Sequence, residues 1–484
     1  MSRRNSRSSE QISDRKERSG RNQGPDEWEE FVSFLRSPFF LRLVEWIAGC
    51  RGEHTFGAPR KHHDAVWAVA WWLKDGRSAD AVIAFFRQAD TWKVILRELR
   101  RAFPGDPLLL RDAPIPSRDI FRHMNNRISA DDVKEFEEMH FNDAIGFAKL
   151  MGLGANDSTW LQPSRAAALS GDLVQLRAMS SFSPDTWAYN PRTGKYQLRR
   201  HSRSAHLHIA GDRREMFGHS FAHLSARTGN SLEEITFSIL PVGKTLKAID
   251  GESDPYSESR VVLDLAERIQ LAVDGGFAML HYDAAIRGED VERAWQLGLN
   301  PLINVHDKTG KKTERIPLGE YKLKNNKRSI KVTAWQGAAC ITGADGQLIK
   351  LDAASIYDVP RSKGRSVKAI YRIPEGTNCN TEFWGDEFRV PMTNVAGSDL
   401  CRAEHLRPLA PGGDKWMSLY GRRNSAESLN SFITGGLLKG ERARSNEPSR
   451  VWLDALRLVY RKNYRAYMVF CRRRGVDPGP PLAA

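Results

Sequence analysis

Through the first third of the chain, apolar residues recur at helical spacing. Trp28, Phe31, Val32, Phe34 and Leu35 form one such set, and Ala65, Val66, Ala68, Val69, Trp71 and Trp72 another. Gly76 closes the second set and Ser78 starts the next, "SADAVIAFFRQ". Pro104, Pro107, Pro114 and Pro116 interrupt the middle, and the cap-like Ser129 begins "SADDVKEFEEMHFNDAIGFAKLMG". The spacing predicts helices over 26–155. Short helices with tight turns fit a helix-turn-helix and a plain bundle equally well.

From about 165 the period changes to two. "AAALSGDLVQLRA" reads as a strand around Asp172, and "AHLHIAG" and "FGHSFAHLSA" as two more. A helix follows in "SESRVVLDLAERIQLAVDG", then a buried strand "GFAMLHYD", a helix "GEDVERAWQLGL" and a strand "PLINVH". Three strands, helix, strand, helix, strand predicts a mixed sheet with packed helices over 160–305, in the α/β class. Residues 306–412 carry Thr, Val, Ile and Tyr in short runs between turn residues. "RSIKVTAWQGAACITGADGQLIKL" and "VKAIYRIPEG" look like hairpins of an all-β insertion. Residues 413–474 return to helical texture, and 475–484 form a tail.

Composition sharpens this outline. The 484 residues carry a net charge of +14, a field that attracts polyanions, above all nucleic acid. Residues 1–25 are Arg, Ser, Asn, Gln and Gly with almost no apolar side chains, the makings of a disordered basic arm. Residues 308–331 hold nine Lys or Arg against two acids, and 439–474 hold eleven against three. In the latter stretch Tyr460, Tyr464, Tyr467 and Phe470 read as a buried helical stripe whose arginines face phosphate. The five cysteines are scattered, which argues against a zinc ribbon or a disulfide framework and for a reducing cytoplasm. No apolar run is long enough to span a membrane. "PVGKT" at 241–245 lacks the upstream glycine of a phosphate loop, because Ser238 stands there. His206 with His208, and His219 with His223, alternate on strands and read as polar surface rather than zinc ligands.

Three acids stand out by position. Asp172 lies in the first strand of the sheet, Asp283 closes "GGFAMLHYD", and Glu427 lies on a helix after the insertion. Sites form where central strands end. Converging carboxylates repel unless a hard cation joins them, and paired magnesium ions serve in-line phosphoryl displacement. In "YGRRNSAESLNSF", Tyr420, Arg423 and Glu427 fall at i, i+3 and i+7, on one helix face, with Leu429, Phe432 and Ile433 opposite. The bland alternative is a solvated face with an Arg–Glu pair.

That phrase resembles the tyrosine–arginine–glutamate signature of DDE transposases from bacterial insertion sequences. The signature's Lys, seven residues after the Glu, is here Thr434; the nearest lysine is Lys439. "MLHYDAAIRGEDVERAWQLGLNPLINVH" looks like the family's second-aspartate segment and "ALSGDLVQLRA" like its first, with Asp185 as the rival for Asp172. The resemblance covers about 165–305 and 416–470. It implies an RNase H-like catalytic sheet with Asp172, Asp283 and Glu427 around Mg²⁺, Mn²⁺ substituting. It also implies DNA contacts from Tyr420, Arg422, Arg423, Lys439 and an insertion aromatic, Trp335 or Trp384. The expected activity is cleavage and strand transfer of double-stranded DNA at element ends and target, in a homodimer or larger synaptic complex. The N-terminal helices would recognise the ends, in a bacterial cytoplasm beside the nucleoid. A standalone nuclease and a silent, domesticated DNA-binding protein are the alternatives.

Overall fold

The structure is a computed structural model. It describes residues 26–477 except 53–59, 75–76, 89, 110–112, 156–158, 180–186, 191–192, 199–204, 210–214, 251–256, 306–313, 362–363, 396–399 and 438–442. The arm over 1–25, Gly76, Asp185, Lys308, Lys311, Lys312 and Lys439 therefore lie outside the described residues.

The N-terminal part consists of helices α1 (Glu27–Leu35), α2 (Pro38–Arg51), α3 (Asp64–Leu73), α4 (Ala79–Phe86), α5 (Thr91–Ala102), α6 (Asp119–Arg127) and α7 (Ala130–Leu150). Their starts follow from capping chemistry. Ser37 and Ser78 accept backbone N–H groups, and Ser129 forms a reciprocal capping box with Asp132.

Then come strands β1 (Ala168–Arg177), β2 (Trp187–Asn190), β3 (Lys195–Leu198), β4 (His206–Ile209), β5 (Glu215–Arg227) and β6 (Glu234–Pro241). Helices α8 (Lys244–Asp250) and α9 (Glu258–Ala272) lead to β7 (Met279–His281), α10 (Glu289–Gln296) and β8 (Asn300–Leu302). β1 pairs antiparallel with β5 and parallel with β7, and β7 pairs parallel with β8. The long β5 carries β4 along its first part and β6 along its second. The result is a mixed sheet in an α/β protein. β6 is an addition to the strands expected from sequence. In "EITFSILP" both faces are buried, so its Thr and Ser hydroxyls lie inside.

Between β8 and the C-terminal helices stand β9 (Arg315–Lys322), β10 (Ser329–Trp335), β11 (Ala338–Thr342), β12 (Leu348–Leu351), β13 (Ala353–Arg361), β14 (Gly364–Arg372) and β15 (Glu387–Pro391). They form a four-stranded and a three-stranded antiparallel sheet. The chain returns through α11 (Arg402–His405), α12 (Asp414–Tyr420), α13 (Asn424–Leu437) and α14 (Pro448–Arg474). The buried Arg407 fastens this return, donating to the carbonyls of Ile303, Ala403 and Leu406. None of the described helices is long and apolar enough to cross a membrane.

α14 binds the two ends of the chain together. Tyr460 and Tyr464 are buried against Phe34 and Trp72, whose rings stack at 3.6 Å. The tyrosine stripe is thus internal, and the N-terminal helices share one apolar core with α14 and the sheet. The arginines of α14 were expected to face phosphate. Instead Arg461 pairs with Glu27 and Glu30, Arg472 with Glu29, and Arg473 with Glu233. Asn463 closes the free edge of β6: its amide accepts from Thr236 N at 2.8 Å and donates to Thr236 O at 2.7 Å.

Replacing Asn463 by Leu leaves that buried N–H and C=O unpaired while keeping the γ-branched shape of the side chain. We expect a loss of about 2–4 kcal/mol, read as a thermal midpoint several degrees lower by near-UV circular dichroism. An unchanged midpoint would show that the edge is satisfied some other way.

Candidate active site at the ends of the parallel strands

The register of the sheet builds this site. Ser170 pairs with His281, the last ladder pair of the two parallel strands; Asp172 lies two residues further along β1 and Asp283 two residues past the end of β7. Side chains alternate along a strand, so Ala168, Ser170 and Asp172 share a face with Met279 and His281, and the charges of Asp172 and Asp283 both act on Arg423 and on Glu258. On the other side of β1, Asp172 faces His223 of β5. Gly171 allows close packing beneath. A Cβ there would fall 2.5 Å from His223 O and 2.9 Å from the Tyr282 ring.

α12 and α13 cover the acidic face. Trp416 and Leu419 bury against Ala168, Met279 and Leu302, while Ala426, Leu429 and Ile433 anchor α13. Phe432, expected among these packing residues, is 42 % exposed. Arg423 Nη2 then meets Asp172 Oδ1 at 3.2 Å, and Asn430 Nδ2 meets Asp172 Oδ2 at 3.0 Å. Asn430 Nδ2 also donates to Leu173 O, and its oxygen accepts from His223 Nε2 at 2.9 Å. A chain from His223 through Asn430 therefore orients the carboxylate. Burial holds the His223 imidazole below its ordinary pKa, against the Asn430 bond and the Asp172 charge. Burial also opposes the Arg423 charge. Asp172, Tyr420 and Asp283 outweigh it and hold the guanidinium above its ordinary pKa.

The expected single helix over Tyr420, Arg423 and Glu427 is broken. Tyr420 ends α12, residues Gly421–Arg423 form a 3₁₀ turn, and Glu427 lies in the first turn of α13. Tyr420 stacks on Trp416 with centroids 4.1 Å apart, and its hydroxyl accepts from Arg423 and Asn304. Arg423 pairs with Asp172 rather than with Glu427. Glu427 is exposed, on the flank of α13 that also carries Asn430, three residues on. Asp172, Asp283 and Arg423 thus come together, with Glu427 on the adjoining helix flank. Among the described residues no group of three or more His, Cys, Asp or Glu side chains is spaced to hold a metal ion.

Arg422, expected on DNA, turns inward and donates to Pro163 O at 2.7 Å. Trp335 is half-buried with the Lys350 ammonium 4.9 Å from its ring centroid. Its hairpin is held beside the segment after α11 by a Gly337–Leu406 bridge. Trp384 is 37 % exposed and donates its indole N–H to Thr377 O. His219 and His223 are both fully buried, a correction of their reading as surface, and burial pushes His219 down to about 4.

Sequence reasoning passed over Glu258, the first residue of α9. It accepts from Tyr282 Oη at 2.8 Å. Burial raises its pKa to about 7, the charges of Asp283 and Asp172 adding to the effect. No motif marks it; its role follows only from where α9 crosses the strand ends. No family model matches the chain, and no curated protein matches it in sequence.

The pKa of Glu258 fixes a pH dependence. The folded chain keeps a proton that the unfolded chain releases, so stability is full below pH 4.5 and falls as pH rises to about 7. Glu258→Gln removes this loss and keeps an acceptor for Tyr282. We expect the variant to match wild type near pH 5 and to exceed it by about 2 kcal/mol at pH 8, in denaturant unfolding at both pH values. A constant difference across that range would sink the assignment.

Proposed function

We propose that the chain is a DDE-type DNA transposase, cutting DNA and joining the freed ends to a target. One observation carries the proposal. Asp172 on β1 and Asp283 just past the end of the adjacent parallel β7 both act on Arg423, which the turn before α13 brings to Asp172, with Glu427 in the first turn of that helix. The strand order adds support. Antiparallel β6–β5–β1 followed by parallel β7 and β8 on the far side of β1 is the order an RNase H-like sheet requires.

The two aspartates fit a hard divalent cation. Magnesium commonly takes one or two carboxylates and fills its remaining positions with water and substrate phosphate oxygens. Asp172 already attracts a positive group, the Arg423 guanidinium, which is the response expected of a carboxylate built to sit beside a cation. Asp172 and Asp283 would hold Mg²⁺, or Mn²⁺ in its place, and Glu427 would complete the set. Such ions activate an attacking oxygen and stabilise a leaving one in phosphodiester cleavage. Arg423, released from Asp172, is then placed for a DNA phosphate, with Tyr420 supporting it. Asn430 and His223 keep the Asp172 carboxylate turned to the open side. The DNA substrate is double-stranded, and bridging two ends calls for a dimer or larger assembly.

A second proposal, a silent DNA-binding protein, is favoured by a specific feature: both Asp172 oxygens are already engaged, by Arg423 and Asn430. Nicking of supercoiled plasmid separates the two. We expect the purified chain to nick DNA with Mg²⁺ or Mn²⁺ and not with EDTA. Asp172→Asn, Asp283→Asn and Glu427→Gln should each lower the rate about 100-fold or more while DNA binding persists. Binding without nicking in either metal would favour the silent protein. Nicking that survives the Asp283→Asn change would remove the proposed site.

A further inference from the structure

We propose that a cationic cavity between α3, α6 and the start of α14 binds a phosphate-class oxyanion. The cavity has a volume of about 150 Å³. Lys74, Arg444, Arg450 and Arg457 line it, with Asp454 the only carboxylate among its lining residues, and Trp71 forms part of its wall. Arg457 uses Asp454, its Nη2 lying 2.8 Å from Oδ1. Lys74 and Arg450 thus face a space whose one carboxylate is already engaged.

Two donors in the wall also lack acceptors among the described residues. Arg457 is 3 % exposed, and its buried Nε has no hydrogen-bond partner there. Trp71 is 2 % exposed, and its indole N–H has none either. Buried donors left unpaired are costly, and buried like charges more so. Lys74 registers the strain. Burial lowers its pKa, and the Arg457 and Arg444 guanidiniums lower it further.

The chemistry of a guest follows from these walls. A cation is repelled, and an apolar molecule would leave the charges and donors unmet. A carboxylate offers two oxygens and one charge. A phosphate offers more acceptor oxygens and up to two charges, a better match to a site rich in donors. Size sets the other limit. Pockets for drug-sized ligands run to roughly 300–1,000 Å³, so a whole nucleotide is too large here and a single phosphate group is not. That group is either inorganic phosphate or a backbone phosphate of DNA. Occupancy would join the N-terminal helices to the C-terminal segment, where Arg444 already donates to Arg77 O.

The test uses the full chain, inorganic phosphate as probe and chloride at equal ionic strength as control. Phosphate is expected to raise the thermal midpoint by about 3 °C or more beyond chloride. Arg450→Gln and Lys74→Gln should each cut that gain about threefold or more. Neither variant should lower the midpoint without phosphate, because each removes a like charge. Equal midpoints in phosphate and chloride would overturn the proposal, as would a full phosphate gain in both variants. A short DNA duplex then separates the sources. If a backbone phosphate enters, the duplex displaces inorganic phosphate and Arg450→Gln weakens duplex binding about tenfold. If the site serves the free ion, duplex binding is the same in wild type and variant. Both outcomes support an oxyanion site, and neither depends on the acidic centre being catalytic.

Discussion

Like-charge repulsion at the ends of β1 and β7 is the constraint around which the sheet domain is arranged. The parallel register carries Asp172 and Asp283 toward the same end of the sheet, and a one-residue slip of β7 would turn its side chains to the opposite face. The fold answers with donors. Arg423 supplies charge, Asn430 supplies an amide proton, and buried His223 fixes the orientation of that amide. All of this depends on α13 lying across the sheet, and α13 is anchored there by Ala426, Leu429 and Ile433. Glu258 shows the other response to the same field. Without an ion pair of its own among the described residues, it favours its neutral form and shares a hydrogen bond with Tyr282. One cluster of acids thus contains a carboxylate held by donors and a neighbour whose hold on its proton is strengthened.

Much of this was readable in the sequence where the signal is local. The period-two run around Asp172 and the period change after 165 announced an α/β sheet, and Ser129 announced its helix through capping chemistry. Asp172 and Asp283 stood out in the sequence because a strand end is itself a local signal. Other features needed long-range partners. β6 looked half-polar because nothing local tells that Ser238 will meet Glu137 or that Thr236 will meet Asn463. His219 and His223 looked like surface because their cover is supplied elsewhere in the chain, α13 meeting His223 about 200 residues later in sequence. The break at Gly421–Arg423 was also hidden. Spacing assumes one uninterrupted helix, and a 3₁₀ turn shifts the phase of α13 relative to α12.

The same long-range pairing redistributes the positive charge. A net charge of +14 suggests a broadly basic surface, and the C-terminal helix is one of its basic stretches. Yet Arg461, Lys462, Arg472 and Arg473 are spent on Glu27, Glu30, Glu234, Glu29 and Glu233. The pairs with Glu27, Glu29 and Glu30 fasten α14 to α1 around a core of Phe34, Trp72, Tyr460 and Tyr464, where the carboxylate of Glu30 is itself buried, and those with Glu233 and Glu234 fasten it beside β6. Removing one partner there would strand a buried charge, so these residues serve cohesion first. The excess that remains is concentrated where acids are scarce. One such place is the beginning of α14, where Arg450 and Lys74 face a cavity with a single carboxylate already taken. Net charge alone therefore says little about where a polyanion touches this protein. Subtracting the internal ion pairs leaves a local field, and its position is set by which glutamates α1 and the start of β6 deliver to α14.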